Sequence, residues 1–115
     1  MRDIRAACNA IVNREVNRLS ARLGLPKAIV REWVLKEAAK PCFNKWQRRA
    51  IWARSGGLCA HRADPRCDSP NKIYPDYWHA DHVIPRSMGG PTLVENGQAL
   101  CIGCNLIKSR WIEVD

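Results

Sequence analysis

Four cysteines in the second half of the chain constrain its fold more than any other feature. Cys59 and Cys67 are separated by seven residues, and Cys101 and Cys104 form a C-x2-C pair after a further 33 residues. The segment GGLCAHRADPRCDSPNKIYPDYW is rich in Gly, Pro, Asp and Asn and too poor in apolar residues to pack a core of its own. A lobe of this composition needs a covalent or metal cross-link.

The compartment decides between disulfides and a metal. No run of about 18 apolar residues exists, and charged residues interrupt the apolar ones at the N-terminus, so neither a membrane span nor a signal peptide is indicated. We therefore expect a cytoplasmic protein without a membrane partner, in which thiols stay reduced and paired cysteines are commonly metal ligands.

The cysteine spacing favours a structural zinc. Four thiolates suit tetrahedral zinc, and two separated pairs are typical of a site built from two knuckles. The long gap between Cys59 and Cys67 leaves His61 as an alternative ligand in place of Cys67. Cys8 and Cys42 lie on or next to predicted helices and are interpreted as small buried apolar residues.

Helical periodicity dominates the first half of the chain. Apolar residues at helical spacing predict an amphipathic helix over residues 4–23, ended by Gly24, and a second over residues 27–40, ended by Pro41. The segment NKWQRRAIWARSGG predicts a third helix, which the Gly-Gly pair ends.

Positive charge is concentrated in the same half. The net charge is +8, and residues 1–58 carry 13 Lys or Arg against 4 Asp or Glu, whereas residues 59–115 carry 6 against 7. Basic surfaces bind phosphate backbones by counterion release, so nucleic acid is the expected partner. On the third helix the candidate phosphate contacts are Arg48, Arg49 and Arg54, for which a solvated polar face is the alternative.

The joint between the first two helices has the pattern of a helix-turn-helix. In RLSARLGLPKAIVREWV, small and apolar residues flank Gly24, which permits a tight turn. A helical hairpin needs the same residues merely to pack, so both interpretations stay open. If the helices read a DNA groove, the expected contacts are Lys27, Arg31 and Arg22.

The stretch HADHVIPRSMGG, residues 79–90, opens the last part of the chain. YWHADHV and GQALC have strand-forming residues, the turn-rich IPRSMGGPTLVEN lies between them, and IGCNLIKSRWI has helical spacing. The predicted order is strand, loop, strand, helix. Tyr77, Trp78 and Trp111 are interpreted as core residues and not as base-stacking platforms.

These residues resemble a known family. The strings DHVIPRSMGG and VENGQALCIGCN, followed by Lys108, are similar to the HNH endonucleases of the ββα-metal superfamily, in the zinc-stapled form found among phage and restriction-associated enzymes. The resemblance covers roughly residues 45–110. It implies an HNH endonuclease domain over residues 44–115, which would contain the structural zinc. Together with the N-terminal helical segment, residues 1–43, which the periodicity predicts and which is a candidate helix-turn-helix, the expected chain is α+β.

The resemblance also assigns roles by position. Asp81 matches the first metal ligand of the family, and Asn105 matches the second, where the family name places its last H. His82 matches the general base, Asn96 the middle Asn that steadies the loop and the base, and Lys108 a basic position three residues after the second ligand. A carboxylate and an amide oxygen are hard ligands, so Mg or Mn is expected as the catalytic cation.

The implied activity is cleavage of double-stranded DNA that leaves 5' phosphate and 3' hydroxyl ends. The alternative is a non-catalytic zinc-ribbon DNA-binding module, which explains the basic half and the cysteines but needs none of the five residues just assigned. His79, two residues before Asp81, is compatible with positioning water, contacting DNA or supporting the site. A monomer and a homodimer are both compatible with the sequence, as are nicking and double-strand cleavage.

Overall fold

Three helices form in the first half of the chain, as the periodicity predicts. The computed structural model describes residues 3–70 and 72–114, with side chains described as far as Lys108. α1 spans Ile4–Leu23, α2 spans Lys27–Ala38 and α3 spans Lys45–Ser55. The Asp3 carboxylate accepts the N–H of Ala6 at 3.2 Å and caps α1, and Gly24 ends it at a φ of 68°.

Two short strands and a fourth helix follow. β1 spans Trp78–His82, β2 spans Gly97–Cys101, and they pair as a two-stranded antiparallel sheet. Two 3-10 turns, Arg86–Met88 and Val94–Asn96, lie between them in the chain, and α4 spans Ile102–Val114. The predicted α+β order is therefore confirmed. Among the described residues, no helix combines the length and the apolar character that crossing a membrane requires.

The chain forms two compact units. The first comprises Met1–Asn44 and His82–Asn96, and the second comprises Lys45–Asp81 and Gly97–Asp115. This division describes packing and does not test the functional division into residues 1–43 and 44–115, which stays a prediction.

A small apolar core holds the first unit together. Val16 of α1 and Val30 and Val34 of α2 are almost fully buried, and Ile11 and Leu93 complete the cluster. Because Leu93 belongs to the segment between β1 and β2, the core fixes that segment to the helical hairpin.

The second unit is built around β2. Ile51 of α3 and Leu100 of β2 are 1% and 0% exposed, as expected for core residues. The N–H of Ala60 donates to the carbonyl of Ala99 at 2.9 Å, and the Arg54 guanidinium donates to the carbonyl of Gly97. The backbone of β2 thus anchors both α3 and the cysteine-rich loop.

Two residues contradict the predicted core. Cys8 is buried as predicted, but Cys42 is exposed, because it lies in the connection between α2 and α3. Tyr77 is 66% exposed, because it lies in the turn before β1, where its N–H donates to the carbonyl of Tyr74 at 3.0 Å. Trp78 is half-buried, and the side chain of Trp111 lies outside the described residues.

The loop between β1 and β2 is closed by backbone contacts. The N–H of Val83 donates to the carbonyl of Asn96 at 2.8 Å, and the N–H of Gly90 donates to the carbonyl of Pro85 at 3.0 Å. A Cβ at Gly90 would lie 1.7 Å from the carbonyl oxygen of Ile84, so a side chain cannot be accommodated without moving the backbone.

We expect Gly90→Ala to lower the free energy of unfolding by about 3 kcal/mol, since the new methyl group must displace backbone atoms. Chemical denaturation followed by far-ultraviolet circular dichroism measures the change. Ser87→Ala, an exposed position of the same loop, is the control and should change stability by less than about 0.5 kcal/mol. Equal stability of the two variants would contradict the close approach at Gly90.

Candidate functional site

Four thiols converge in the second unit. The Sγ atoms of Cys59, Cys67, Cys101 and Cys104 all lie within 4.8 Å of one another, and those of Cys67 and Cys101 are 3.9 Å apart. Sulfur ligands about 2.3 Å from a tetrahedral zinc are separated by about 3.8 Å, so the cluster has dimensions that fit zinc. Because His61 does not belong to this cluster, the geometry favours Cys67 over His61.

Backbone donors and burial act on the same thiols. The N–H of Cys101 donates to the Sγ of Cys59, and the N–H of Cys104 donates to the Sγ of Cys101, both at 3.4 Å. Burial, and then the neighbouring thiols, raise the pKa of Cys104. Burial also opposes ionisation of Cys101, but the N–H of Cys104 and the adjacent thiols lower its pKa below the ordinary value. A bound cation would remove the cost of ionising these clustered thiols together.

A second polar cluster in the same unit centres on Asp81. Its Oδ2 atom accepts the side-chain amide of Gln98 at 2.9 Å and pairs with the ammonium of Lys108. The Lys108 and Asp81 side chains are only 13% and 17% exposed, so solvent screens this ion pair less than a surface pair. β1, β2 and α4 each contribute one of the three residues. The Asp81 carboxylate is thus paired with the positively charged ammonium group of Lys108.

Asn105 lies one helical turn before Lys108 on α4 and is half-buried. Residues three apart on a helix share a face. Asn105 and Lys108 therefore share the face of α4 from which Lys108 contacts Asp81.

His82 lies in the first unit, where its ring is fixed by two neighbours. It stacks on Phe43 with ring centroids 4.5 Å apart, and its Nε2 atom is 2.8 Å from the hydroxyl oxygen of Thr92. The Thr92 hydroxyl donates its one proton to the carbonyl of Lys40. Its oxygen must therefore accept from His82, which places a proton on Nε2 and, in the neutral ring, a lone pair on Nδ1.

Asn96 organises the loop that follows His82. It is 1% exposed, and its side-chain oxygen accepts the N–H of Ile84 at 2.9 Å. Its side-chain amide donates to the carbonyls of Ile84 at 3.1 Å and Pro91 at 3.0 Å. Three hydrogen bonds from one buried side chain fix both ends of the segment between residues 84 and 91.

Three residues of these clusters are missing from the sequence-based set. Gln98 has a detectable signal, because it is the one polar side chain in the strand GQALC. Phe43 and Thr92 contact His82 across long sequence separations, which no local pattern reveals.

The remaining candidates are placed as follows. His79 is exposed on β1. Arg22 and Lys27 are exposed near the turn between α1 and α2, whereas Arg31 is half-buried and donates to the Asn13 side chain at 2.8 Å. Arg31 is thus engaged between the two helices, while the other two cations face solvent.

A comparison with protein families confirms the resemblance. Residues 65–110 match the model of the HNH endonuclease family. A search of curated proteins and a search of solved structures gave no significant match. An HNH domain indicates a nuclease-type function that acts on DNA, and such domains bind metal ions.

We expect the purified protein to contain one zinc ion per chain and Cys101→Ser to lose it. Because folding and metal binding are coupled in such sites, the variant should lose at least about 3 kcal/mol of unfolding free energy. Elemental analysis and denaturant titration provide the two measurements. Cys42→Ser is the matched control, since that thiol is exposed and outside the cluster; a Cys101→Ser protein that keeps both its zinc and its stability would refute the site.

Proposed function

Because residues 65–110 match the HNH endonuclease family, we propose that this protein is a metal-dependent endonuclease that hydrolyses phosphodiester bonds of double-stranded DNA. The family match is the observation that carries the proposal. Within the matched segment lie five residues that a structural zinc does not need: Asp81, His82, Asn96, Asn105 and Lys108.

We assign Asp81 and Asn105 as ligands of one Mg or Mn ion. Their carboxylate and amide oxygens are the hard donors that these cations prefer. The Asp81 carboxylate supports the assignment, because it pairs with an ammonium group in a mostly buried position and Gln98 orients it. A divalent cation held by these two residues would supply positive charge that stabilises the transition state of phosphodiester hydrolysis.

His82 acts as the general base. Its Nδ1 atom can accept a proton from the attacking water, because the bond to Thr92 keeps the Nε2 proton in place. The stacked Phe43 ring restricts rotation of the imidazole. Asn96 acts as a positioning residue, because it fixes the loop that begins next to His82.

Lys108 neutralises negative charge on the phosphate that undergoes attack. Its ammonium group is held in the same cluster as the Asp81 carboxylate, and a compact ammonium is a common phosphate-binding group. The products are a 5' phosphate and a 3' hydroxyl end. One active site per chain cuts one strand, so double-strand cleavage requires two chains or two sequential nicks.

The N-terminal helical segment, residues 1–43, supplies affinity for the duplex. Arg22 and Lys27 are exposed near the turn of the helical hairpin, and each phosphate contact of this kind adds to the salt dependence of binding.

A supercoiled plasmid assay tests the reaction. We expect conversion to nicked or linear plasmid with Mg or Mn, inhibition by a chelator and recovery when excess divalent ion is restored. His82→Ala should lower the rate about 100-fold or more, because it removes the base, with zinc content and DNA binding unchanged.

The neighbouring histidine provides the control for that experiment. His79→Ala removes an exposed imidazole two residues away and should lower the rate far less than His82→Ala. Absence of chelator-sensitive cleavage with every divalent metal would contradict the proposal and favour the non-catalytic zinc-ribbon module.

Substitution of Thr92 tests the assignment of the proton to Nε2. Thr92→Val keeps the shape of the side chain but removes the oxygen that accepts from His82, so we expect the single-turnover cleavage rate to fall about 100-fold. Thr92→Ser keeps the hydroxyl and should restore most of the rate. Circular dichroism and zinc content control for folding; equal rates for both variants would contradict a positioning role for Thr92.

A further inference from the structure

A groove in the second unit has no role in the proposed cleavage reaction. It has a volume of about 340 Å³, which falls at the lower end of the range for ligand pockets. α3 and the segment leading into β1 form its walls. The lining residues combine cations with aromatic rings: Lys45, Arg48, Arg49, Trp52, Pro75 and Trp78.

In the part of the chain that the structure describes, no carboxylate neutralises the cations of this groove. α3 carries four Lys or Arg and no acidic residue. Among the described residues, no ion pair involves Lys45, Arg48 or Arg49. The guanidinium carbon of Arg48 lies 4.4 Å from the Trp78 ring centroid, so an aromatic ring and not an acid holds it. The groove is therefore complementary to phosphate groups.

Its aromatic rings add a second kind of contact. The rings of Trp52 and Trp78 lie 5.3 Å apart, and both residues are half-buried. Beside them on α3, Trp46 is 64% exposed, with the Arg49 guanidinium 5.0 Å from its ring centroid. Bases within a duplex are stacked on one another, whereas unpaired bases expose faces that stack on aromatic rings and guanidinium planes.

We propose that this groove binds unpaired nucleotides of a single-stranded DNA segment. The bases stack against the tryptophan rings and the Arg48 guanidinium, and Lys45 and Arg49 contact the phosphates. This inference rests on the proposed function, because a role of the groove in cleavage means that the DNA substrate includes a single-stranded segment. Binding of that segment by the groove requires neither a catalytic metal nor cleavage.

Binding of a fluorescent oligothymidine of about 15 nucleotides, measured by anisotropy over a range of salt concentrations, tests the proposal. The assay uses the His82→Ala protein without added divalent ion, so that the DNA is not cleaved during the measurement. We expect tighter binding to the single strand than to a duplex of equal length. Trp78→Leu should weaken single-strand binding about tenfold with an unchanged salt slope, because stacking releases no counterions.

Charge variants separate stacking from electrostatics. Arg49→Ala should reduce the salt slope by about 0.7, the value for one phosphate contact on a single strand. Arg5→Ala removes the same charge from an exposed position of α1 and should leave single-strand binding nearly unchanged. Arg48→Lys keeps the charge but loses the planar group, so it replaces Trp78→Leu if that variant does not fold.

Two outcomes would overturn the inference. One is equal loss of single-strand and duplex affinity in the groove variants, and the other is a loss no greater than that of Arg5→Ala. A protein that never cleaves plasmid but shows the expected groove dependence would contradict the nuclease proposal and leave this inference standing. Plasmid cleavage combined with single-strand binding that the groove substitutions leave unchanged would support the nuclease proposal and contradict this inference.

Discussion

The second unit depends on the close approach of its four clustered thiols, those of Cys59, Cys67, Cys101 and Cys104. The segment between α3 and β1 contains few apolar residues, and few of its described side chains, among them Cys59 and Ile73, are buried. The thiol cluster joins that segment to the end of β2 and the beginning of α4. Gln98 on β2 and Lys108 on α4, which both contact Asp81, are therefore carried by elements that the cluster ties together.

The position of His82 depends on contacts of a different kind. In the first unit, backbone atoms and neutral side chains control the imidazole: the Lys40 carbonyl fixes the Thr92 hydroxyl, which in turn fixes Nε2 of His82. Thr92 is fully buried, and its own N–H donates to the carbonyl of Ala38 at 2.9 Å. The connection that follows α2 thus acts on the histidine through one hydroxyl group.

Local patterns in the sequence predicted much of this fold. The periodicity located the helices, and the cysteine spacing identified the four thiols that converge. Exposure was harder to predict, since Ile29 and Trp33 share the helical periodicity of Val30 and Val34 and yet are exposed. A pattern shows that a face is apolar but not how much of it the neighbouring elements cover.

The candidate site, too, could be predicted only in part, because a local sequence pattern does not show which elements contact one another. Asp81, His82, Asn96, Asn105 and Lys108 could be proposed because a family motif places them, whereas Gln98, Thr92 and Phe43 act through contacts between distant segments. Trp78 shows where an interpretation based only on the usual location of a residue type is incomplete. A tryptophan before a strand is usually core, but here Arg48 lies over its ring at the edge of a groove.

The hydrogen bond from the N–H of Cys104 to the Sγ of Cys101 also has a consequence for α4. Cys101 directly precedes the helix, and its sulfur accepts the third N–H of the first turn, which is the geometry of a side-chain N-cap. The first turn of α4 contains no acidic residue, so a thiolate at this position provides the negative charge that the helix dipole favours. Cys101 is therefore both a candidate metal ligand and the cap of α4, so the start of α4 is coupled to the state of the thiol cluster.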